Sequence, residues 1–382
     1  MEQNKPLGPL EPAESARPGV PTEAPEAGRF RAPLNPVAAL FTGRGPEWVR
    51  YALLGGVLLV AALLPFVIQS DRWLTLFTIV LIYVVLASGL NIVVGFTGLL
   101  DLGYVAFYAI GGYYAAIIFV QVLKNGFGLD ISEMWWLTWV NVLVGGGLAA
   151  VAGSLIGYPT LRLRGDYLAI MTLAFGEIIR IVANNWVGLT RGPSGVSGVP
   201  KFAIGDFVFK TNFRSYFLAL ALAVISLFVI SRLVRSRVGR AWTAIRDDEV
   251  AAAAMGINTS RYKLLSYSCG AFFAGTMGVF FGQYLNFIHP SNFKLMESFV
   301  MLCLVVLGGM GGLVGPVVGA VIWITLQEWL RDFEFIQLHP EVRGMVMGIV
   351  LVLLMIFRPQ GIIGGRRVPL YRKLRRERVS KE

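Results

Sequence analysis

Ionisable side chains are scarce inside the apolar stretches of this 382-residue chain, and the few found there limit the chemistry open to it. Glu177 and Arg180 share one such stretch at a spacing of three, which places both on one helical face within pairing distance. Charges at membrane depth are costly and usually face each other or a wet cavity. The two therefore either fix packing as an intrahelical pair or line a path or gate. Asn184 and Asn185, about a turn further on, extend a polar face. Asp101 sits in a glycine-rich break, where it is expected to cap a helix starting near Leu102, with a gate role as the alternative. Metal or nucleophilic chemistry has little to work with. The two histidines, His289 and His339, lie in no cluster, and Cys269 and Cys303 read as small apolar packing residues. No Gly-x-x-x-x-Gly-Lys-Ser/Thr phosphate loop occurs. The chain cannot hold ATP by that route, so energy must come from another subunit or from an ion gradient.

The elements that carry these residues are set by composition. Charged residues make up 15% of the chain, against about 25% in soluble globular proteins, and the mean hydropathy is +0.65. The charges gather at the ends and in short loops, separated by apolar stretches long enough to cross a core of about 30 Å as helices. The roughly 10-residue alternating segments of a membrane barrel are not seen. The expectation is an all-α polytopic membrane protein. Its ten transmembrane helices fall near 51–69, 73–95, 103–122, 136–157, 167–187, 215–233, 264–284, 297–312, 315–330 and 343–357. Arg44 and Arg50 before the first span, Arg162 and Arg164 after the fourth, the basic loop after the sixth and the C-terminal run from Arg358 fall on one side if the count is ten. By the positive-inside rule that side is the cytoplasm, with both termini there. The net charge of +11 thus reads as cytoplasmic loops and contact with anionic lipid, with no nucleic acid implied. Residues 1–46 hold nine of the eighteen prolines, too little apolar surface to order themselves, and no apolar signal-peptide core. The expected division is a disordered cytoplasmic tail over 1–48, a transmembrane domain over 49–358 and a basic cytoplasmic tail over 359–382.

Two glycine-rich strings interrupt the spans, each containing Gly-x-x-Gly-Leu: one from Gly95 through Gly98, the other from Gly309. Each glycine weakens a helix by about 1 kcal/mol, and irregular backbone at membrane depth is tolerated only inside protein or beside a cavity. Paired breaks point to internal repeats around a transport path; tight turns at the cytoplasmic face are the plainer reading. The segment from Gly239 to Asn258 stands out among the loops. Ala241 to Met255 is rich in helix formers, and Asp247, Asp248 and Glu249 precede an alanine run as acids at a helix start do. Its small side chains leave it flat enough to lie against another protein.

The string Glu249-Val250-Ala251 with Gly256 resembles the EAA–glycine coupling loop of ABC importer permeases. The longer run from Gly239 through Glu249, the run from Gly165 to Arg180, the segment Gly192 to Val196 and Leu307 to Gly311 are similar to the LivM branch of the LivH/LivM permease family of branched-chain amino acid importers. The resemblance covers about residues 70 to 365. It implies a multi-pass subunit of the bacterial inner membrane that imports leucine, isoleucine and valine by alternating access. It implies a LivH-type permease as heterodimer partner, two ABC ATPase subunits and a periplasmic or lipid-anchored binding protein. This chain would bind no cofactor, with ATP and Mg on the ATPase subunits, and would be no enzyme itself. Gly239, Arg240, Ala244, Ile245, Arg246, Asp247, Asp248, Glu249, Ala251 and Gly256 are the expected ATPase-coupling residues. Glu177, Arg180, Asp101, Asn184, Gly98 and Gly309 are the candidates for the path or gate. A cargo of urea, another small amide or another amino acid, and an ion-coupled secondary transporter, are the alternatives.

Overall fold

A computed structural model describes residues 47–68, 70–126, 135–160, 166–205, 207–332, 340–357 and 361–363. The N-terminal tail to residue 46, Arg162 and Arg164, and most of the basic C-terminal run lie outside the described residues. Helices dominate: α1 (Glu47–Val67), α2 (Asp71–Asn91), α3 (Val105–Ala116), α4 (Trp135–Thr160), α5 (Asp166–Asn185) and α6 (Asn212–Arg235). They are followed by α7 (Arg237–Asp247), α8 (Glu249–Ala254), α9 (Thr259–Leu285), α10 (Leu295–Gly308), α11 (Gly315–Arg331) and α12 (Pro340–Phe357). Wider π-helical turns prolong α2 over Ile92–Thr97 and α3 over Ile117–Gly126. Among the described residues two short antiparallel strand pairs complete the fold, one joining Val196–Ser197 to the distant Phe287–Ile288 and one, a hairpin, joining Ala203–Ile204 to Phe207–Val208.

Each apolar stretch read from the sequence lies on a helix. Among the described residues, five helical stretches are long and apolar enough to cross a membrane: Asp71–Thr97, Val105–Leu123, Trp135–Thr160, Asn212–Arg235 and Thr259–Leu285. The protein is therefore a polytopic, mostly helical membrane protein. Two expected boundaries are corrected. The stretch predicted over 297–312 stops being helical at Gly308, because Gly309 adopts φ +112°. The helix expected near Leu102 starts at Val105, because residues 98–104 form an irregular return segment.

The helices run between two ends of the molecule. At one end, α7 lies against the close of α2, since Arg246 Nη1 donates to Gly95 O. Trp242, fully buried, ties α7 to the start of α9 by donating from Nε1 to Tyr262 O at 2.7 Å. The chain after α12 returns to the same end, where Ile362 N donates to Leu307 O at 2.8 Å. At the other end, Arg72 of α2 pairs with Glu328 at 2.8 Å and Asp332 at 2.5 Å, at the close of α11. There also Tyr216 OH of α6 donates to Ala61 O of α1 at 2.7 Å, and the Val196–Ser197 strand pairs with Phe287–Ile288 at the exit of α9.

The core gathers on α9, which packs along α4, α3 and α2. Such close packing needs small residues, because apolar association gains little where the solvent is itself apolar. A Cβ on Gly275 would stand 2.5 Å from Ala149 Cβ and 2.7 Å from Gly145 O, so α9 and α4 meet at backbone distance. Helix α2 is buried over most of its length, whereas α6 is largely exposed and carries Ile225, Phe228 and Val229 outward. Exposed apolar helix faces of this kind suit lipid or another membrane subunit.

Candidate functional site

Residues 236–258 fold as two short helices at an angle, where the sequence suggested one. Ser236 opens α7 and accepts from Val238 N at 3.1 Å. Gly239 is required here, since a Cβ would overlap the Val234 carbonyl. Asp248 breaks the run: its backbone is extended, and Oδ1 accepts from Val250 N at 2.9 Å and Ala251 N at 3.0 Å. An aspartate that satisfies the free N–H groups of a new turn is a strong N-cap, and this is why the helix-rich string divides. Gly256 closes α8 at φ +84°, and Asn258 Oδ1 then caps α9 by accepting from Arg261 N at 3.1 Å.

The ten expected coupling residues separate by burial. Gly239 and Ile245 are buried and hold α7 to the body. Ala244, Arg246 and Glu249 are half-buried, and Arg240, Asp247, Asp248, Ala251 and Gly256 are exposed. Glu249 turns inward to Lys263 Nζ at 2.5 Å, fastening α8 to α9. The outward surface of α8 is apolar: Ala251, Ala253 and Ala254 are exposed, Val250 is 75% exposed and Met255 is 83% exposed.

The two glycine strings, 214 residues apart at Gly95 and Gly309, meet in space. Asn91, buried, bridges them: Oδ1 accepts from Gly311 N at 2.9 Å and Nδ2 donates to Gly312 O at 2.8 Å. A Cβ on Gly95 would overlap Asn91 Oδ1 and stand 2.6 Å from Gly311 N. Gly98, at φ +77°, faces Arg246, whose Cγ would lie 3.1 Å from a Cβ there. Gly309 packs against Gly361 at the end of the described chain. One node therefore joins the coupling segment to both breaks, through Arg246 and then Asn91. Asn91 carries no sequence mark beyond being a polar residue near the end of an apolar run, and sequence reasoning missed it.

After Gly98 the chain returns inward as irregular backbone, tolerated because protein surrounds it. Asp101 is 1% exposed. Its Oδ1 accepts from Gly103 N at 2.9 Å, and its Oδ2 has no partner. It caps a turn ahead of α3, not the helix itself. Leu102 N donates to Thr172 Oγ1 of α5 at 3.0 Å, so Asp101 and α5 are neighbours. Further along α5, Arg180 Nε donates to both Glu177 oxygens at 3.0 Å, and Nη2 also donates to Oε1. The Glu177 and Arg180 side chains are 36% and 31% exposed, an open pair beside the buried stripe Leu168, Thr172 and Gly176. Asn184 lies half-buried at the far end of this face. Asp101 and the Glu177–Arg180 pair thus share α5 as a support, whereas Gly98 and Gly309 belong to the node with Arg246. Among the described residues no group of three His, Cys, Asp or Glu side chains could hold a metal ion.

The family model for the branched-chain amino acid transport system permease component matches residues 72–355. The high-affinity branched-chain amino acid transport system permease protein LivM of Escherichia coli K12 is 38% identical over 330 residues, covering 80% of this chain and 73% of the relative. LivH of Salmonella typhimurium is 28% identical over 298 residues, covering 74% of this chain and 91% of that protein. BraD of Pseudomonas aeruginosa is 26% identical over 302 residues, covering 74% and 91%. No solved structure matches the chain significantly. The matched region contains both glycine strings, α5 and the whole coupling segment. This chain belongs to the family of branched-chain amino acid transport system permease components.

Proposed function

We propose that this chain is the LivM-type membrane subunit of an ATP-driven importer of branched-chain amino acids. It works with a LivH-type permease, two ATPase subunits that carry ATP and Mg, and a periplasmic or lipid-anchored binding protein. In this reading ten helices cross the bacterial inner membrane, the five shorter or more polar ones included, and both termini lie in the cytoplasm with α7 and α8. The chain itself transports and does not hydrolyse.

The observation that carries the reading is the contact of Arg246 with Gly95 O. It links a segment with an exposed apolar surface to the glycine breaks inside the bundle. Large apolar side chains exposed outside a membrane span mark protein contact, and Val250 and Met255 supply them beside small alanines. An ATPase subunit seated on α8 would move α7, and Arg246 and Asn91 would pass that movement to both breaks. Rigid elements around discontinuous backbone are how alternating access is built. Glu177, Arg180, Asp101, Asn184, Gly98 and Gly309 are placed on the path or its gate in this account.

Deletion of residues 247–256 tests it. Membrane insertion is expected to persist while ATP-driven uptake is lost. Normal uptake in the deletion variant would refute the coupling role.

A further inference from the structure

Among the described residues, one carboxylate at membrane depth pairs with no lysine or arginine and is half-buried. Glu297 stands in the first turn of α10, half-buried. It accepts a hydrogen bond from Tyr83 OH of α2 at 2.5 Å. Its position along the membrane normal follows from two counts. Tyr83 is twelve residues from Asp71 at one end of α2 and twelve from Gly95 at the other, about 18 Å each way at 1.5 Å per residue. Glu297 is eleven residues, about 17 Å, from the break at Gly308. Both arguments place the pair at the middle of the bundle, the depth at which transporters hold their cargo.

Its surroundings are selective. Glu249, Glu328, Asp332 and Glu177 each meet a lysine or arginine within 4 Å. Among the described residues, Glu297 meets none within 4 Å. Asp101, the other carboxylate near mid-depth with neutral partners, is sealed from its surroundings. Tyr108 is buried near the start of α3. Its ring lies 5.3 Å from Phe293 and 5.4 Å from Phe281. Ser298 Oγ accepts from Val105 N at 3.0 Å and holds α10 against the start of α3, so the site is framed by three helices. An intramembrane carboxylate needs a proton or a cation, and aromatic faces favour an organic ammonium.

We propose that Glu297 and Tyr83 form a mid-membrane station for the α-ammonium group of the transported amino acid, with Tyr108 and its phenylalanine neighbours beside the apolar side chain. The inference rests on the amino-acid-import reading above and adds where in this chain the cargo pauses. Glu297 would accept the ammonium in charge-assisted hydrogen bonds while Tyr83 holds the carboxylate in place.

The test uses the complete transporter in proteoliposomes, with the loaded binding protein outside and labelled leucine as cargo. E297Q is expected to cut leucine uptake roughly tenfold or more, the worth of one charge-assisted hydrogen bond. ATP hydrolysis stimulated by loaded binding protein should persist, and E297D should recover part of the uptake. A second measurement needs no variant. A carbodiimide that modifies carboxyl groups is applied to the unaltered complex, and labelling of Glu297 is read by peptide mass. Leucine should slow that labelling, and 4-methylpentanoic acid, which has the same skeleton without the amine, should not. Full uptake by E297Q, or labelling that leucine leaves unchanged, would overturn the station while leaving the import reading intact. No leucine uptake by the unaltered complex would overturn the import reading and the station with it.

Discussion

Replacing Gly95 by alanine should damage a hydrogen-bonded bridge more than 200 residues away in sequence. The new methyl group would overlap Asn91 Oδ1 and approach Gly311 N to 2.6 Å. The Asn91 amide can yield only by giving up its bonds to Gly311 N and Gly312 O. Two such bonds are worth about 1 kcal/mol each, and forcing a methyl group into a packed site costs about 1–3 kcal/mol more. Alanine regains about 1 kcal/mol of helix propensity over glycine. The net expectation is a loss of roughly 2–4 kcal/mol. Removing Asn91 as well should relieve the overlap, so the cost of Gly95→Ala should shrink by about 1–2 kcal/mol in an Asn91→Ala background. The assay is a double-mutant cycle on the purified chain, with unfolding free energies measured in mixed micelles. Additive costs for the two substitutions would show that Gly95 and the second glycine string do not meet through Asn91, and the node described above would be wrong.

Other outcomes follow from the same geometry. Arg246→Ala should lower leucine uptake per ATP hydrolysed by roughly tenfold, since one charge-assisted hydrogen bond to Gly95 O is lost; uptake and hydrolysis measured together check it, and an unchanged ratio would count against Arg246. Asp248→Ala removes the acceptor for two N–H groups and should cost about 1 kcal/mol at the start of α8; faster amide hydrogen exchange over residues 249–254 is the readout. Glu177→Ala or Arg180→Ala alone leaves an unpaired charge at membrane depth, so each should impair the chain more than the double substitution. Expression and uptake of the three variants compared side by side decide this, and a double variant worse than either single one would contradict it. Met255→Glu should weaken ATPase association, because it puts a charge on the apolar face of α8; co-purification of the ATPase subunits measures it.

Much of the architecture was legible because the bilayer imposes a length on every apolar stretch. Among the described residues five of the ten stretches fall on helices long and apolar enough to cross a membrane, and the Glu177–Arg180 spacing alone foretold their pairing. The glycine strings were visible as helix breaks, but nothing in their spacing says that they touch. That contact depends on Asn91, a single amide in an otherwise apolar helix. The segment over residues 239–258 was legible as a helix-forming run whose acids precede the alanines as at a helix start, which is where α8 begins. Its division into α7 and α8 turns on whether Asp248 continues one helix or caps the next, and propensity does not decide between those. Glu297 was hidden for a different reason: at the edge of an apolar run, a single acid reads as a helix-start residue. Only the fold shows Tyr83 opposite it and, among the described residues, no lysine or arginine within 4 Å.

The central claim is ATP-driven import of branched-chain amino acids through this subunit. It is tested most directly by uptake into proteoliposomes that contain this chain with its partner permease, ATPases and binding protein. Labelled leucine and labelled urea are compared, each with and without ATP inside. The account predicts leucine uptake that requires internal ATP and little uptake of urea. ATP-dependent uptake of urea alone would keep the machine and overturn the cargo. Leucine uptake that follows an ion gradient and ignores ATP would contradict the account altogether.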